Sequence, residues 1–332
     1  MFETVDEVIM NKDFISLIEG KYDDELFKKA QAIREENYKN NVYLRGIIDM
    51  SNYCMCSCKF CGNSCMSTTE RYRLTVNQII ESIKFAQNDG IDLIHLAAGL
   101  DYKINVEYLE PIIEYCNANG INLEMAIGIK NIEVYKRIMD MGAKRFILKF
   151  ETSNKDVFED VKDCHCSFDD YIAFIKLLKK NGAHIGSGNI IGLPGTTIRD
   201  IANDIKLIND LDLNMISTSI FIPNKESVFA NEKTGDRELA LRYISIMTLL
   251  QRDRRISIPT NSSFGLNNKI KALKLGANVL SVNYTNTDYE KKYSIYDGAA
   301  RYRADLDKTK NYIKQAGMDC ISWREFKKNE PK

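Results

Sequence analysis

Short apolar runs rich in β-branched residues alternate along this chain with segments whose apolar residues recur every three or four positions. The first pattern is typical of buried strands and the second of amphipathic helices. Strands are predicted at Tyr43 to Met50, Asp92 to Ala97, Asn122 to Ala126, Arg145 to Thr152, His184 to Ile191, Met215 to Ile222, Ile256 to Thr260 and Asn278 to Tyr284. Helices are predicted between them, for example at Thr75 to Asn88, Val106 to Asn117, Asn131 to Met141, Phe168 to Asn181, Ile198 to Leu211 and Arg237 to Gln251.

This alternation predicts an α/β fold, a single complete (βα)8 barrel of the TIM type over residues 41–320. Eight strand-helix units in about 290 residues match that architecture. A helical extension is expected before the barrel at residues 1–40, and a C-terminal tail after it at residues 321–332. Because such barrels place their chemistry at the carboxyl ends of the strands, functional side chains are expected there.

Composition and charge narrow the class of protein. The 332 residues include 46 basic and 46 acidic side chains, so the formal charge is zero and no nucleic-acid partner is expected. The start of the chain, MFETVDEVIMNKDF, contains no continuous apolar stretch, so we expect neither a secretory signal nor a membrane span, and a cytoplasmic location. In a reducing cytosol, clustered cysteines are more often metal ligands or catalytic groups than disulfides.

A CxxxCxxC run, Cys54, Cys58 and Cys61, follows the first predicted strand, with Phe60 directly before the last cysteine. Three thiolates on one loop can hold three irons of a 4Fe-4S cluster and leave the fourth iron open to a chelating molecule. The shifted register Cys58, Cys61, Cys65 loses the placement of the aromatic residue. A non-catalytic barrel protein that binds zinc through this loop is an alternative; its site would be colourless and free of sulfide.

Of the other cysteines, one is expected in the core and two in a surface loop. Cys164 and Cys166 flank His165, and such a trio offers soft metal ligands. A fourth partner is missing nearby and the one-residue gap is tighter than the usual zinc spacing, so a surface loop is expected. Cys116 falls within a predicted helix and is expected in the core.

Strand alternation predicts that Glu124, Lys149, Glu151 and Ile190 face the barrel interior. Charged groups inside a barrel are costly unless they are paired or contact a polar ligand. The simpler interpretation is that Lys149 and Glu151 pair with each other and that Glu124 is a structural carboxylate.

The cysteine spacing, Phe60 and the barrel pattern together resemble the radical S-adenosylmethionine superfamily, and the resemblance covers nearly the whole chain. It implies an anaerobic enzyme whose open iron chelates the amino and carboxylate groups of S-adenosylmethionine. One electron, from a donor such as ferredoxin or flavodoxin, then gives methionine and a 5'-deoxyadenosyl radical that attacks a small-molecule substrate. The cofactors supply the hard step and the protein positions the reactants.

The resemblance also implies roles for several residues of this chain. Phe60 and Ile190 correspond to side chains that pack on the adenine, and Glu151 to the carboxylate that contacts the ribose. Gly99 lies in the segment that receives the methionyl amino group. The acidic residue expected directly after that glycine is absent, and Asp101 is the substitute that we expect.

Another departure concerns the methionyl carboxylate. Within the superfamily this chain is most similar in pattern to maturases of [FeFe] hydrogenase. Those proteins carry an arginine in the helix after strand four, where this chain has Tyr171. Loss of a bidentate guanidinium removes a strong charge-assisted contact, and Lys149 is the expected replacement.

Within the superfamily, several strings are similar to those of HydE-like maturases of [FeFe] hydrogenase, which share a lineage with biotin synthase and methylornithine synthase. These strings include Val42 to Gly46, Arg71 to Thr75, Ile191 to Gly195, Phe221 to Pro223 and Ile258 to Thr260. They imply a role in hydrogenase cofactor maturation. A methylornithine-synthase-like amino acid mutase, or another radical paralogue, is the alternative.

Substrate residues are the least defined by the sequence. The interior cysteines of biotin synthase are missing, since the strand-three position is Glu124 and the strand-five position is Gly186. The acidic residue of methylornithine synthase near the end of strand seven is replaced by a run of threonine, asparagine and serines. We expect the substrate to contact Glu124, Thr260, Asn261, Ser262 and Asn283.

Overall fold

The structure, a computed structural model, describes residues 4–254, 256–296 and 306–328. The strands of these residues are β1 (Asn41–Ser51), β2 (Leu93–Ala98), β3 (Asn122–Ala126), β4 (Arg145–Ile147), β5 (His184–Ser187), β6 (Ile190–Ile191), β7 (Met215–Ile216), β8 (Ser219–Ile220), β9 (Val279–Asn283) and β10 (Asp319–Ile321). The helices are α1 (Val5–Met10), α2 (Phe14–Ile18), α3 (Asp23–Tyr38), α4 (Val76–Asn88), α5 (Val106–Ala118), α6 (Ile132–Asp140), α7 (Lys155–Val161), α8 (Phe168–Lys180), α9 (Ile198–Leu211), α10 (Arg237–Leu250), α11 (Gly265–Leu275), α12 (Thr287–Glu290), α13 (Leu306–Gln315) and α14 (Trp323–Lys328).

Parallel pairing joins the strands into one curved sheet in the order β10-β1-β2-β3-β4-β5-β7, and β9 also pairs with β1. Beyond the ends of β5 and β7, β6 and β8 form a small parallel sheet of their own. The strands are nearly continuous apolar runs because helices cover the sheet. The result is an α/β fold with a half-barrel of parallel strands, in which the carboxyl ends of the strands share one edge.

The predicted complete eight-stranded barrel is confirmed only in part. Residues 256–260 form no strand in the part of the chain that the structure describes, and they are joined to their neighbours by the single bridges Met215–Ser257 and Pro259–Val279. Proline has no N–H to give to a ladder. The side chain of Asn278 instead makes hydrogen bonds of 2.9 and 2.8 Å to the backbone of this segment.

Two predicted strands are interrupted where the chain crosses itself closely. Gly188 has φ +158°, and a Cβ there would overlap the carbonyl oxygen of Ser217. The strand predicted at 184–191 is therefore divided into β5 and β6, and the one at 215–222 into β7 and β8. The strand predicted from Arg145 to Thr152 ends at Ile147. Beyond it, Leu148 N–H still donates to the Gly186 carbonyl over 2.9 Å, and a single bridge joins Glu151 to Asn189.

Local sequence explains the helices that flank the site. Thr75 and Thr197 begin α4 and α9 with capping boxes, in which each threonine accepts from the N3 amide and the N3 side chain returns the bond. The described structure also contains α7, α11, α13 and α14, which periodicity alone does not separate from loops. Each is 11 residues or shorter, so its apolar pattern is brief.

Helices α3 and α14 meet near the start of β1, where the rings of Tyr38 and Phe326 stack. Helices α1 to α3 occupy the region predicted as an extension, and the buried Arg34 of α3 donates to the carbonyl of Leu273, 2.8 Å away. In the predicted tail, α14 places Trp323 and Phe326 with ring centroids 4.8 and 4.5 Å from Tyr43. Residues 1–3 and 329–332 lie outside the described residues. No helix among those described is long and apolar enough to cross a membrane.

Candidate active site

The cysteine loop follows β1 at the carboxyl edge of the sheet. Cys54, Cys58 and Cys61 are free thiols of intermediate exposure on this loop. The loop is held against the segment after β2, because Leu100 N–H donates to Cys54 Sγ over 3.3 Å and Met55 N–H donates to the Leu100 carbonyl over 3.0 Å. Two neighbouring strand ends therefore position the first cysteine together.

Hydrogen bonds and burial tune these thiols differently. The neighbouring Cys56 thiol, together with the N–H groups of Cys56 and Leu100 that donate to Cys54 Sγ over 3.4 and 3.3 Å, lowers the pKa of Cys54 to about 6. Burial raises the pKa of Cys61 to about 12. Cys56 is thus a buried residue that supports Cys54, while Cys61 would ionise only next to a strong positive charge such as iron. The donor set fits a cluster held by three thiolates.

The segment after β2 approaches the cysteine loop too closely for a side chain at Gly99. A Cβ there would overlap the Tyr53 carbonyl oxygen and lie 2.6 Å from Cys54 Cβ. Asp101, two residues on, is buried and receives bonds from Arg73 Nε at 2.6 Å and Ser51 Oγ at 2.7 Å. Its carboxylate holds the segment in place, and neither Gly99 nor Asp101 lines the cavity described next.

A cavity of about 400 Å³ opens at the carboxyl edge of the sheet. Its walls come from most of the strand ends and from the segment around residues 293–296. The structure brings together in this cavity the predicted residues Phe60, Lys149, Glu151, Ile190, Thr260, Asn261, Ser262 and Asn283.

Glu151 has an unusual backbone and two cationic neighbours. Its φ of +66° is left-handed, a conformation that costs a non-glycine residue on the order of 1 kcal/mol and clusters at functional sites. Lys149 Nζ lies 3.0 Å from Oε2 and Lys162 Nζ lies 3.2 Å from Oε1. Oε2 is buried and makes no aligned hydrogen bond in the described structure, so it retains acceptor capacity towards the cavity.

Lys162 is a site residue that the sequence did not indicate. It donates to the Lys149 carbonyl over 2.6 Å, and its Nζ lies 4.9 Å from the centroid of the Tyr171 ring. Burial alone would lower the pKa of Lys162, but Tyr171, Glu151 and nearby thiols raise it well above its ordinary value. Burial lowers the pKa of Lys149. The structure therefore contains the Lys149–Glu151 ion pair of the simpler interpretation, and Lys162 adds a second lysine to it.

Glu124 lies below the cavity and does not line it. It is buried between Arg45, which donates to Oε1, and His95, whose Nδ1 lies 3.0 Å away, with Arg145 at 3.8 Å. Burial opposes ionisation, yet these partners lower the pKa of Glu124 to about 2. These contacts favour the interpretation of Glu124 as a structural carboxylate. Its partners Arg45 and His95, and not Glu124 itself, line the cavity.

The polar side of the cavity consists of the residues after 259 and the end of β9. Asn261 Nδ2 donates to Ser219 Oγ over 3.0 Å. Asn283 Oδ1 accepts from a backbone amide two residues on, over 2.8 Å. Thr260 is 2% exposed, and its hydroxyl has no hydrogen-bond partner among the described residues.

The Cys164–Cys166 loop touches the cysteine loop. The two sulfurs are 3.5 Å apart, His165 between them has φ +62°, and His165 Nε2 lies 3.0 Å from the carbonyl oxygen of Met55. His165 is exposed, as a surface loop requires. Cys116 is fully buried in α5, so its predicted place in the core is confirmed.

Some site residues were not predicted from the sequence. A sequence signal existed for one of them and not for another. His95 and Glu124 are register partners on adjacent parallel strands, and strand alignment could have paired them. Lys162 follows the short α7 in a loop, where no periodicity predicts its direction.

Comparison with known proteins establishes the class. The sequence profile of the radical SAM superfamily matches residues 48–208. The [FeFe] hydrogenase maturase subunit HydE of Thermotoga maritima is 30% identical over 291 residues, which are 86% of this chain and 83% of that protein. The chain belongs to the radical SAM superfamily. It is therefore a radical SAM enzyme, in a superfamily that uses a 4Fe-4S cluster, cleaves S-adenosylmethionine, acts on small molecules and needs an electron donor.

Other relatives lie in the same lineage. The 3-methylornithine synthase of Methanosarcina acetivorans is 24% identical over 314 residues, covering 91% of this chain and 87% of its own. The crystal structure of methylornithine synthase (PylB) superposes with a TM-score of 0.80 at 21% identity, covering 95% of this chain and 98% of its own. The structure of HydG from Carboxydothermus hydrogenoformans gives 0.80 at 17% identity, covering 95% and 79%. These structural likenesses concern the fold.

Proposed function

We propose that Cys54, Cys58 and Cys61 hold the cluster and that S-adenosylmethionine binds between them and Glu151. One observation carries this proposal: Phe60, which lies between two of the cysteines, lines the same cavity as Glu151 and Ile190. When bound, the two cofactors supply methionine and a 5'-deoxyadenosyl radical. The protein binds and orients the reactants and excludes water.

The adenosine part of S-adenosylmethionine would be bound by apolar contacts and by one carboxylate. Phe60 and Ile190 present apolar surface to the cavity, as an adenine ring requires. Glu151 is fixed by its own backbone, which accepts from Ile190 N–H over 2.8 Å and donates to the Gly188 carbonyl over 2.9 Å. The acceptor capacity of Oε2 suits a ribose hydroxyl.

The methionyl carboxylate would be bound by two lysines in place of the arginine that Tyr171 replaces. Lys149 and Lys162 face one carboxylate, Glu151, so this side of the cavity carries one positive charge in excess. An anion added there gains from both lysines. Lys162 lies over the Tyr171 ring, so the tyrosine supports the cation that substitutes for the missing guanidinium.

The methionyl amino group would lie near Gly99, where the backbone approaches Cys54. Asp101 acts indirectly in this proposal. Its bonds to Arg73 and Ser51 fix the segment that contains Gly99. In the cellular setting that we propose, the cytoplasm, ferredoxin or flavodoxin supplies the electron.

For the reaction we propose HydE-like maturation of the [FeFe] hydrogenase cofactor. The 30% identity to HydE over 86% of the chain supports it. A methylornithine-synthase-like rearrangement is the second candidate, favoured by the length match to PylB. Asn261 and Ser262 replace the acidic residue expected for that amino acid substrate. In either case, we propose that residues 256–260 complete the barrel through their bridges to β7 and β9.

Anaerobic reconstitution tests the proposed function. The protein should become brown, lose absorbance when reduced with dithionite, and release 5'-deoxyadenosine from S-adenosylmethionine. Cys58→Ala should lose the iron and the cleavage together, whereas Asn261→Ala should leave uncoupled cleavage largely intact. Colourless protein containing zinc, with no deoxyadenosine formed, would contradict the proposal.

A further inference from the structure

Lys269, on the second turn of α11, lines the cavity without a partner. Its side chain makes no ion pair or hydrogen bond with any part of the chain that the structure describes, and its burial lowers its pKa. A partly buried ammonium group loses hydration without compensation unless an anion comes to it. Such a residue is therefore poised for a ligand rather than for stability.

The other cations of the cavity are already compensated. Arg45 bonds to Glu124, and Lys149 and Lys162 both contact Glu151. In the proposed function the last two also receive the methionyl carboxylate. Lys269 is thus the cavity cation for which neither the described residues nor S-adenosylmethionine provides an opposite charge.

Hydroxyl groups also line this cavity. Thr260 is 2% exposed and its Oγ1 has no hydrogen-bond partner among the described residues, although buried hydroxyls are normally hydrogen-bonded. Ser262 Oγ lies 2.8 Å from the hydroxyl of Tyr296, and both side chains line the cavity. A ligand that accepts from these hydroxyls would satisfy Thr260.

We propose that Lys269 and Thr260 form a substrate subsite that binds the carboxylate of a small, largely aliphatic substrate. This inference rests on the proposed function and adds the chemical class of its substrate. A single uncompensated ammonium matches the single charge of a carboxylate better than a phosphate group, which carries about −1.5 to −2 at pH 7. The apolar walls, including Leu280 and Ile220, suit the carbon chain.

Equilibrium dialysis of the full chain, reconstituted with cluster and S-adenosylmethionine but without a reductant, tests the subsite. The probes are hexanoate, its neutral isostere hexanamide, and hexyl phosphate. Lys269→Met should weaken hexanoate binding about tenfold, as expected for loss of a charge-assisted hydrogen bond, and Lys269→Arg should largely retain it. Lys274→Met, at an exposed position on the same helix, should behave as the wild type.

The outcomes separate this inference from the function it rests on. Failure of the wild type to bind hexanoate, equal hexanoate binding by wild type and Lys269→Met, or an equal loss of hexanamide binding would overturn the carboxylate subsite. Tighter binding of hexyl phosphate through Lys269 would overturn the assignment to a carboxylate. If S-adenosylmethionine is still cleaved when dithionite is added, only the subsite fails; if it is not, the proposed function fails.

Discussion

The backbone N–H of Leu100 donates to Cys54 Sγ over 3.3 Å, so the loops after β1 and β2 form one unit around the first cysteine. The relationship explains why an apolar residue is tolerated where the superfamily pattern has an acidic one. Leu100 contributes through its backbone, and the next residue, Asp101, anchors the same segment by accepting hydrogen bonds from Ser51 and Arg73. The acidic residue of this chain, Asp101, therefore lies one position later than in the superfamily pattern, and its carboxylate stabilises the loop.

Gly99→Ala should therefore release iron. A Cβ at this position would overlap the Tyr53 carbonyl oxygen and press on Cys54 Cβ, so the loop must move away from the cluster. We expect less than half of the wild-type iron after reconstitution, measured with a chelator assay. Gly90→Ala is the control, since Gly90 has a positive φ but no atom of the described residues within 4 Å of the position that a Cβ would take. It should cost about 1 kcal/mol of stability and keep the iron.

Lys162→Met should weaken binding of S-adenosylmethionine. Removal of this ammonium leaves Glu151 with one lysine and removes the excess positive charge. The KM for S-adenosylmethionine should rise about tenfold, while Lys162→Arg should recover most of the affinity. Lys155→Met, at an exposed site on the preceding helix, is the matched control. An unchanged KM in Lys162→Met would exclude Lys162 from the carboxylate site.

Two buried threonines should respond in opposite ways to the same substitution. The Thr260 hydroxyl has no hydrogen-bond partner in the described part of the chain, so Thr260→Val should leave the free energy of unfolding unchanged or raise it by about 1 kcal/mol. Thr285, equally buried, accepts from the Asp49 amide over 2.8 Å, and Thr285→Val should lower it by about 1–3 kcal/mol. Urea unfolding of both variants measures the difference. Equal destabilisation would show that Thr260 is bonded in the native protein.

Glu124→Gln should destabilise the fold in a pH-dependent manner. The folded-state pKa of Glu124 is about 2, below its ordinary value, so its stabilisation is complete above about pH 4.5 and is lost as the pH falls towards 2. The stabilisation lost is on the order of 3 kcal/mol. The gap in unfolding free energy between wild type and variant should therefore narrow between pH 4.5 and 3.

Denaturant titrations on cluster-free protein would measure this gap without interference from acid loss of iron. Glu133→Gln, at an exposed helix position, should show no such gap. A difference between wild type and Glu124→Gln that stays constant with pH would contradict the proposed Arg45–Glu124–His95 network.

The sequence predicted the elements with strong local signals. β2, β3 and β9 lie where β-branched and apolar runs predicted them, and α4, α8, α9 and α10 agree with their periodic segments within two residues. The cysteine loop followed from its spacing alone. Strands that differ from the prediction do so mainly because of contacts between distant segments. Gly188 lies against the backbone of Ser217, and Pro259 interrupts the seventh predicted strand.

The candidate site was less predictable because side-chain direction depends on the fold. Alternation indicated that Glu124 faces inward. Only the pairing of β1, β2 and β3 places His95 and Arg45 against its carboxylate. Lys162 and Lys269 lie outside the strands, so no alternation pattern places them towards the cavity.

The most direct test of the central claim is the iron and acid-labile sulfide content of five single alanine variants after anaerobic reconstitution. The variants replace each cysteine of the loop: Cys54, Cys56, Cys58, Cys61 and Cys65. The account predicts that the first, third and fourth lose the cluster, while Cys56→Ala and the exposed Cys65→Ala retain about four irons and four sulfides per chain. Loss of the cluster in Cys65→Ala with retention in Cys54→Ala would contradict it.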